Sequence, residues 1–185
     1  MKYYIETKRL ILRAITTDDI VDMYELDSNA LVHKYLGNKP IKSMQQAAEN
    51  IDSISIQYNT NGIGRWATIE KESGKFIGWS GLKWVTSTEN QRSHFHDVGY
   101  RFMPAFWGKG YATEATVAAL KYAFETMDLQ EVIGTCHQDN KASQRVLEKC
   151  GLKLKEQFIY KNEIPCHWLS ISKNEWENLN NYETA

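Results

Sequence analysis

Few features of this sequence are extreme, and each scarcity removes a class of function. Cysteine occurs 3 times, at Cys136, Cys150 and Cys166, with no C-x-x-C spacing. That odd number argues against a disulfide framework and against a structural zinc site, so reduced, packed thiols are expected. The charges nearly cancel, 22 basic against 23 acidic, for a net charge of −1. Such a chain has no electrostatic footprint for nucleic acid or for an anionic membrane. No apolar run approaches the roughly eighteen residues of a membrane span, and the amino-terminal MKYYIETKR has no signal-type hydrophobic segment. The expectation is a cytoplasmic protein without a membrane partner. Five histidines are scattered; His94 and His96 would share one face of a strand, but no third ligand accompanies them and no metal is expected. Repeats, low-complexity tracts and interdomain linkers are also missing.

What is present is ordinary globular material: 42% hydrophobic, 12% aromatic and 24% charged residues. A chain of 185 residues fits one domain, residues 1–185, and buries about seventy per cent of its unfolded surface without a staple.

The organising stretch runs from Val98 to Glu125. Val98, Tyr100 and Phe102 alternate at strand spacing, and after Pro104 the period becomes that of an alanine-rich helix. A strand therefore feeds a helix through a turn holding Gly108 and Gly110. A helix start leaves about four N–H groups unpaired and carries roughly half a positive charge, which suits a pyrophosphate. The turn reads as a phosphate cradle, against the alternative that its glycines serve only to turn the chain. A Walker A loop is excluded by spacing. A dinucleotide G-x-G-x-x-G is disfavoured because its third glycine is Thr113, and Asp128 precedes the next strand instead of following it.

Around this stretch the chain reads as strands 8–14, 65–70, 76–85, 94–103, 131–136, 152–160 and 164–171. Helices are expected after Thr16-Thr17-Asp18-Asp19, from Ser43 to about Tyr58, from Gly108 to about Met127 and from Asp139 or Asn140 to Cys150. A short polar helix follows at 173–181. On the long helix Ala112, Ala115, Ala119 and Ala123 face the sheet, while Glu114, Lys121 and Glu125 are expected in solvent. The strand at 131–136 follows a helix and can lie parallel to the one before it.

WGKGYATEA closely resembles the acetyl-CoA-binding motif of the GCN5-related N-acetyltransferases (GNAT), Q/R-x-x-G-x-G/A, with Trp107 in the place of Gln or Arg. Tryptophan there, the opening Glu6-Thr7-Lys8-Arg9-Leu10-Ile11-Leu12-Arg13, and Asn140-Lys141-Ala142-Ser143 leading to Glu148-Lys149-Cys150-Gly151-Leu152 resemble the RimJ/RimL-like branch of ribosomal-protein N-terminal acetyltransferases. The resemblance spans roughly residues 6–172. It implies an α+β GNAT-like fold: a mixed, mostly antiparallel sheet of about seven strands, a splayed parallel pair within it, and about four flanking helices.

The function so implied is acetyl-CoA-dependent acetylation of a primary amine by direct attack in a ternary complex, the acceptor being a protein N-terminus or a small amine. A non-catalytic acyl-CoA sensor of the same fold is the alternative. Acetyl-CoA is expected on Phe102, Met103, Trp107, Gly108, Lys109, Gly110, Tyr111, Ala112, Thr113, Asn140 and Ser143. Asp97 stands where relatives carry a glutamate base, with His94, His96 or a water as rivals. The family's proton-donating tyrosine falls at Leu147, which directs attention to Ser143. Plain structural roles compete for each: a strand-edge carboxylate for Asp97, helix capping for Asn140 and Ser143, packing for Trp107. Oligomeric state is not legible, a homodimer through the last strands being one arrangement.

Overall fold

The computed structural model describes residues 4–183, with side chains from 5 to 179. Two strands, β1 (Tyr4–Glu6) and β2 (Leu10–Ala14), pair antiparallel and lead through a 3-10 turn at Thr17–Asp19 into α1 (Ile20–Ser28), α2 (Ala30–His33) and α3 (Met44–Asn61). Three antiparallel strands follow, β3 (Arg65–Glu70), β4 (Phe76–Val85) and β5 (Phe95–Phe102). Then come α4 (Tyr111–Lys121), β6 (Glu131–His137), α5 (Lys141–Lys149), β7 (Lys153–Tyr160), β8 (Ile164–Ser172) and α6 (Lys173–Glu183). Among the described residues one sheet takes the order β1-β2-β3-β4-β5-β6-β8-β7, with β5–β6 as its one parallel pair.

Local chemistry sets several boundaries. Ser43 Oγ accepts the Gln46 N–H at 3.3 Å to start α3, and Gly62, at φ 70°, ends it. Asn140 Oδ1 accepts the Ser143 N–H at 3.1 Å to start α5. At the first helix, Asp19 Oδ2 accepts the Thr16 N–H at 2.8 Å, while Arg13 clasps both carboxylate oxygens of Asp19 at 2.6 and 2.8 Å.

The sheet is covered on both faces. Against α4, α5 and α6 it buries Trp66, Ile77, Leu82, Val98, Leu169 and Ile171, with Ala115 and Ala119 letting α4 approach closely. Against α1 and α3 it buries Met23, Leu26, Ala47, Ile51, Ala67 and Phe76. A third cluster joins Val85 and Phe95, at the ends of β4 and β5, to Ile133, Phe158, Cys166 and Trp168 of β6, β7 and β8. Each fully buried Leu or Ile contributes about 1.5–3 kcal/mol, so these clusters carry most of the stability.

The structure differs from sequence expectation in countable ways. The described residues hold eight strands and six helices, because β1 and the four-residue α2 are too short to show a period. The long helix begins at Tyr111, with Gly110 as its N-cap, and its last turn, Tyr122–Thr126, widens to a π-helix. Glu114 is not in solvent: its side chain is 18% exposed and holds the β1–β2 turn. Val117 and Met44, apolar residues on α4 and α3, are exposed.

Candidate functional site

Strands β5 and β6 meet at one register pair, Asp97 with Ile133, and part beyond it. Which main-chain groups line the gap follows from the antiparallel ladder on the other side of β5. Met103 N–H donates to Ile77 O at 2.9 Å, so the odd-numbered residues of β5 bond β4 and the even-numbered ones face β6. Past Asp97, the groups turned to the gap are Val98 O, Tyr100 N–H and C=O, and Phe102 N–H. Phe102 O receives the Trp107 indole N–H at 2.7 Å, and Met103 N–H is already occupied by Ile77. Phe102 can therefore offer a donor to a ligand arm, and Met103 cannot.

At the open end of this gap lies the glycine turn. Gly108 and Gly110 have φ 73° and 83°, left-handed conformations that favour glycine. A Cβ built on Gly108 would meet nothing within 4 Å, so the outer side of the turn is bare. None of the six N–H groups of residues 108–113 donates to a protein acceptor among the described residues; the first helical bond inward is Glu114 N–H to Gly110 O, 3.1 Å. Six free donors at a helix N-terminus form a ready anion site. The main chain of Gly108, Lys109, Gly110, Tyr111, Ala112 and Thr113 is thus placed as a cradle. Lys109 Nζ lies 5.1 Å over the Phe106 ring, and Trp107 beside it is half exposed.

The candidate acids and bases separate onto two faces of β5. Asp97 lies on the α1/α3 face, where the Arg65 guanidinium pairs with its Oδ2 and Arg65 Nη1 also donates to the Asp97 carbonyl at 2.8 Å. Burial pushes the Asp97 carboxyl up, and Arg65 opposes this without cancelling it. Asp97 Oδ1 has no hydrogen-bond partner among the described residues. His96 is on the opposite face, 4.6 Å from Trp84, where burial lowers its pKa. His94 is exposed and 3.0 Å from Ser93 Oγ.

Across the gap on the α4/α5 face, Ser143 sits in the first turn of α5, its N–H held by Asn140. Its Oγ is 2.9 Å and its carbonyl 3.0 Å from the Tyr100 hydroxyl. Leu147 is buried at 2% exposure and offers no polar atom. Among the described residues there is no group of three or more His, Cys, Asp or Glu placed to hold a metal ion, and no helix long and apolar enough to cross a membrane.

Three contributors were not read from the sequence. Thr7 Oγ1 and the Arg9 N–H donate to Glu114 Oε1 at 2.6 and 2.8 Å, Arg9 Nε to Oε2 at 2.6 Å, and Arg9 Nη1 to Lys109 O at 2.9 Å. Thr7 and Arg9 thus clamp the glycine turn from behind. Arg65 orients Asp97, and a Cβ on Gly99 would lie 2.8 Å from Arg65 Nη2. Tyr100 was visible only as an inward strand residue. These pairings join residues 32 to 107 positions apart, so no local sequence pattern announced them.

A mixed sheet split at one parallel pair, with a bare-amide helix start at its mouth, defines the GNAT class of acyltransferase folds. The chain belongs to that family, since residues 9–153 match its model, described as Acetyltransferase (GNAT) domain. It is an N-acetyltransferase, and enzymes of this family use acetyl-CoA. An uncharacterized N-acetyltransferase, YoaA of Bacillus subtilis, is 29% identical over 164 residues, covering 87% of this chain and 90% of that protein. The crystal structure of a GNAT-family acetyltransferase from Bacillus anthracis superposes with a TM-score of 0.77 at 25% identity, covering 93% of this chain and 99% of that one. Spermidine N-acetyltransferase from Vibrio cholerae, solved with CoA and spermine, shares the fold with a TM-score of 0.74 at 18% identity over 93% of this chain and 100% of that one.

Proposed function

We propose that the protein transfers acetyl from acetyl-CoA to a primary amine by direct attack in a ternary complex, in the manner of the RimJ/RimL-like branch. The observation that carries this is the row of six unpaired amides, 108–113, at the mouth of the β5–β6 gap. These amides and the positive end of α4 take the pyrophosphate, with Lys109 adding charge and Trp107 a flat surface. Val98 O, Tyr100 N–H and Phe102 N–H line the gap as an unpaired strand edge for the pantetheine amides, and Asn140 stands at the opposite wall.

The chemistry needs a neutral amine, a polarised thioester carbonyl and a stabilised leaving thiolate. Asp97 Oδ1 takes the proton of the attacking amine, its partner oxygen being held by Arg65. A main-chain N–H of β5 facing the gap polarises the carbonyl. The Ser143 hydroxyl donates to the sulfur as the C–S bond breaks. The acceptor is a protein N-terminus or a small amine; the spermine complex of the Vibrio cholerae relative supports a small amine.

Isothermal titration with CoA and thiol release from acetyl-CoA with a panel of amines and peptides test the assignment together. Micromolar CoA binding with amine-dependent thiol release is expected. CoA binding without release for any amine would favour the acyl-CoA sensor that Leu147 leaves open, and no CoA binding at all would refute both.

A further inference from the structure

The crevice wall on the α4/α5 face holds two hydroxyls in contact, Tyr100 and Ser143, and both thiols near them are buried. Burial pushes Cys136 and Cys150 up to about 12, which keeps them protonated and inert. Tyr100 starts on the edge of the gap, with its main-chain groups turned to it, and its side chain reaches across to the first turn of α5. Burial raises its phenol pKa above the usual value, so the ring keeps its proton throughout the working pH range.

The hydroxyl hydrogens around Ser143 have two arrangements. The phenol can donate to the Ser143 carbonyl, 3.0 Å away, in which case the serine hydroxyl donates to the phenol oxygen. Alternatively the phenol donates to Ser143 Oγ, 2.9 Å away, and the serine hydrogen is released toward the gap. The second arrangement aims a donor at whatever lies there.

We propose that Tyr100 is a positioning residue that sets the hydroxyl of Ser143 toward the thioester sulfur, to hydrogen-bond the leaving thiolate where Leu147 has no polar atom to offer. This rests on the acetyl-CoA reading above. In the step, the amine nitrogen bonds the acetyl carbon and the C–S electron pair goes to sulfur. The Ser143 O–H, backed by the Tyr100 O–H, hydrogen-bonds the developing thiolate. The proton lost by the amine through Asp97 returns to sulfur by way of solvent, so that the products are the amide and free CoA thiol.

The test uses the full-length chain and the variants Tyr100→Phe, Ser143→Ala and the double variant. Tyr100→Phe keeps the ring and removes one oxygen, so the fold is retained. The expected result is a fall in kcat on the order of tenfold for Tyr100→Phe, about 1.4 kcal/mol in barrier, with KM for acetyl-CoA and Kd for CoA within about twofold of wild type. The double variant should be no slower than Ser143→Ala alone. With the selenoester analogue of acetyl-CoA, whose selenolate leaves without help from a donor, the loss should shrink to about twofold. An unchanged kcat, an equal loss on thioester and selenoester, additive losses in the double variant, or CoA affinity falling in step with kcat would each overturn the proposal while leaving acetyl transfer standing. A wild type that fails to bind CoA instead refutes the parent reading, and this role with it.

Discussion

Glu114 is the residue whose removal the structure makes most informative. It accepts three hydrogen bonds, from Thr7 Oγ1, the Arg9 N–H and Arg9 Nε, at 2.6–2.8 Å, and lies in the first turn of α4. A hydrogen bond to a charged group contributes about 1.5–3 kcal/mol when buried. Here the side chains of Arg9 and Glu114 are 41% and 18% exposed, so solvent screening reduces the Arg9–Glu114 ion pair to about 1 kcal/mol. Loss of the other two bonds, and of a carboxylate at the positive helix end, adds about 1–2 kcal/mol. Glu114→Ala should therefore cost about 2–3 kcal/mol. In a chain of this length that lowers Tm by roughly 4–12 °C. Burial pushes the Glu114 carboxyl up, but the bonds from Thr7 and Arg9 outweigh it and hold it below the usual range. Its contribution is present above the unfolded carboxylate pKa and lost as pH falls through the lower folded one, so the wild-type advantage should narrow in acid. Thermal melts of wild type and variant by circular dichroism from neutral to acid pH provide the measurement. A Tm change under about 2 °C, or an advantage that grows on acidification, would refute the clamp.

Three further outcomes are expected. Gly110→Val forces a β-branched side chain into φ 83° and sets its Cβ 3.3 Å from Arg9 Nη2; CoA affinity by titration should drop at least about tenfold, and an affinity within twofold of wild type would count against the cradle. Asp97→Asn should slow amine-dependent thiol release on the order of a hundredfold with CoA affinity little changed, whereas full activity would move the base elsewhere. Glu175 accepts from the Ser172 N–H at 2.9 Å, and this bond with Lys153 holds its carboxyl down at about 2; its stabilising effect exists above about pH 4.5 and disappears toward pH 2. Denaturant melts of Glu175→Gln should accordingly converge with wild type near pH 2, and a difference independent of pH would contradict the sign.

Sequence alone determined the elements whose causes lie close together in the chain. Strand β4 and the strand–turn–helix at Val98–Lys121 were legible because side-chain period, glycine position and capping residues act over a few neighbours. So were the bare amides of 110–113, since a helix start leaves about four of them unpaired. Tertiary structure decided everything that depends on which distant group arrives. It drew Glu114, solvent-facing by its period, onto Thr7 and Arg9, 107 and 105 positions away. It tied Asp97 to Arg65, and it brought Tyr100 to Ser143 across 43 residues. It also stopped β5 and β6 at one register pair, opening the gap that a strand pattern cannot announce. Periodicity records which side of an element is apolar, but the partner of a buried charge or hydroxyl is chosen by the packing of the whole sheet.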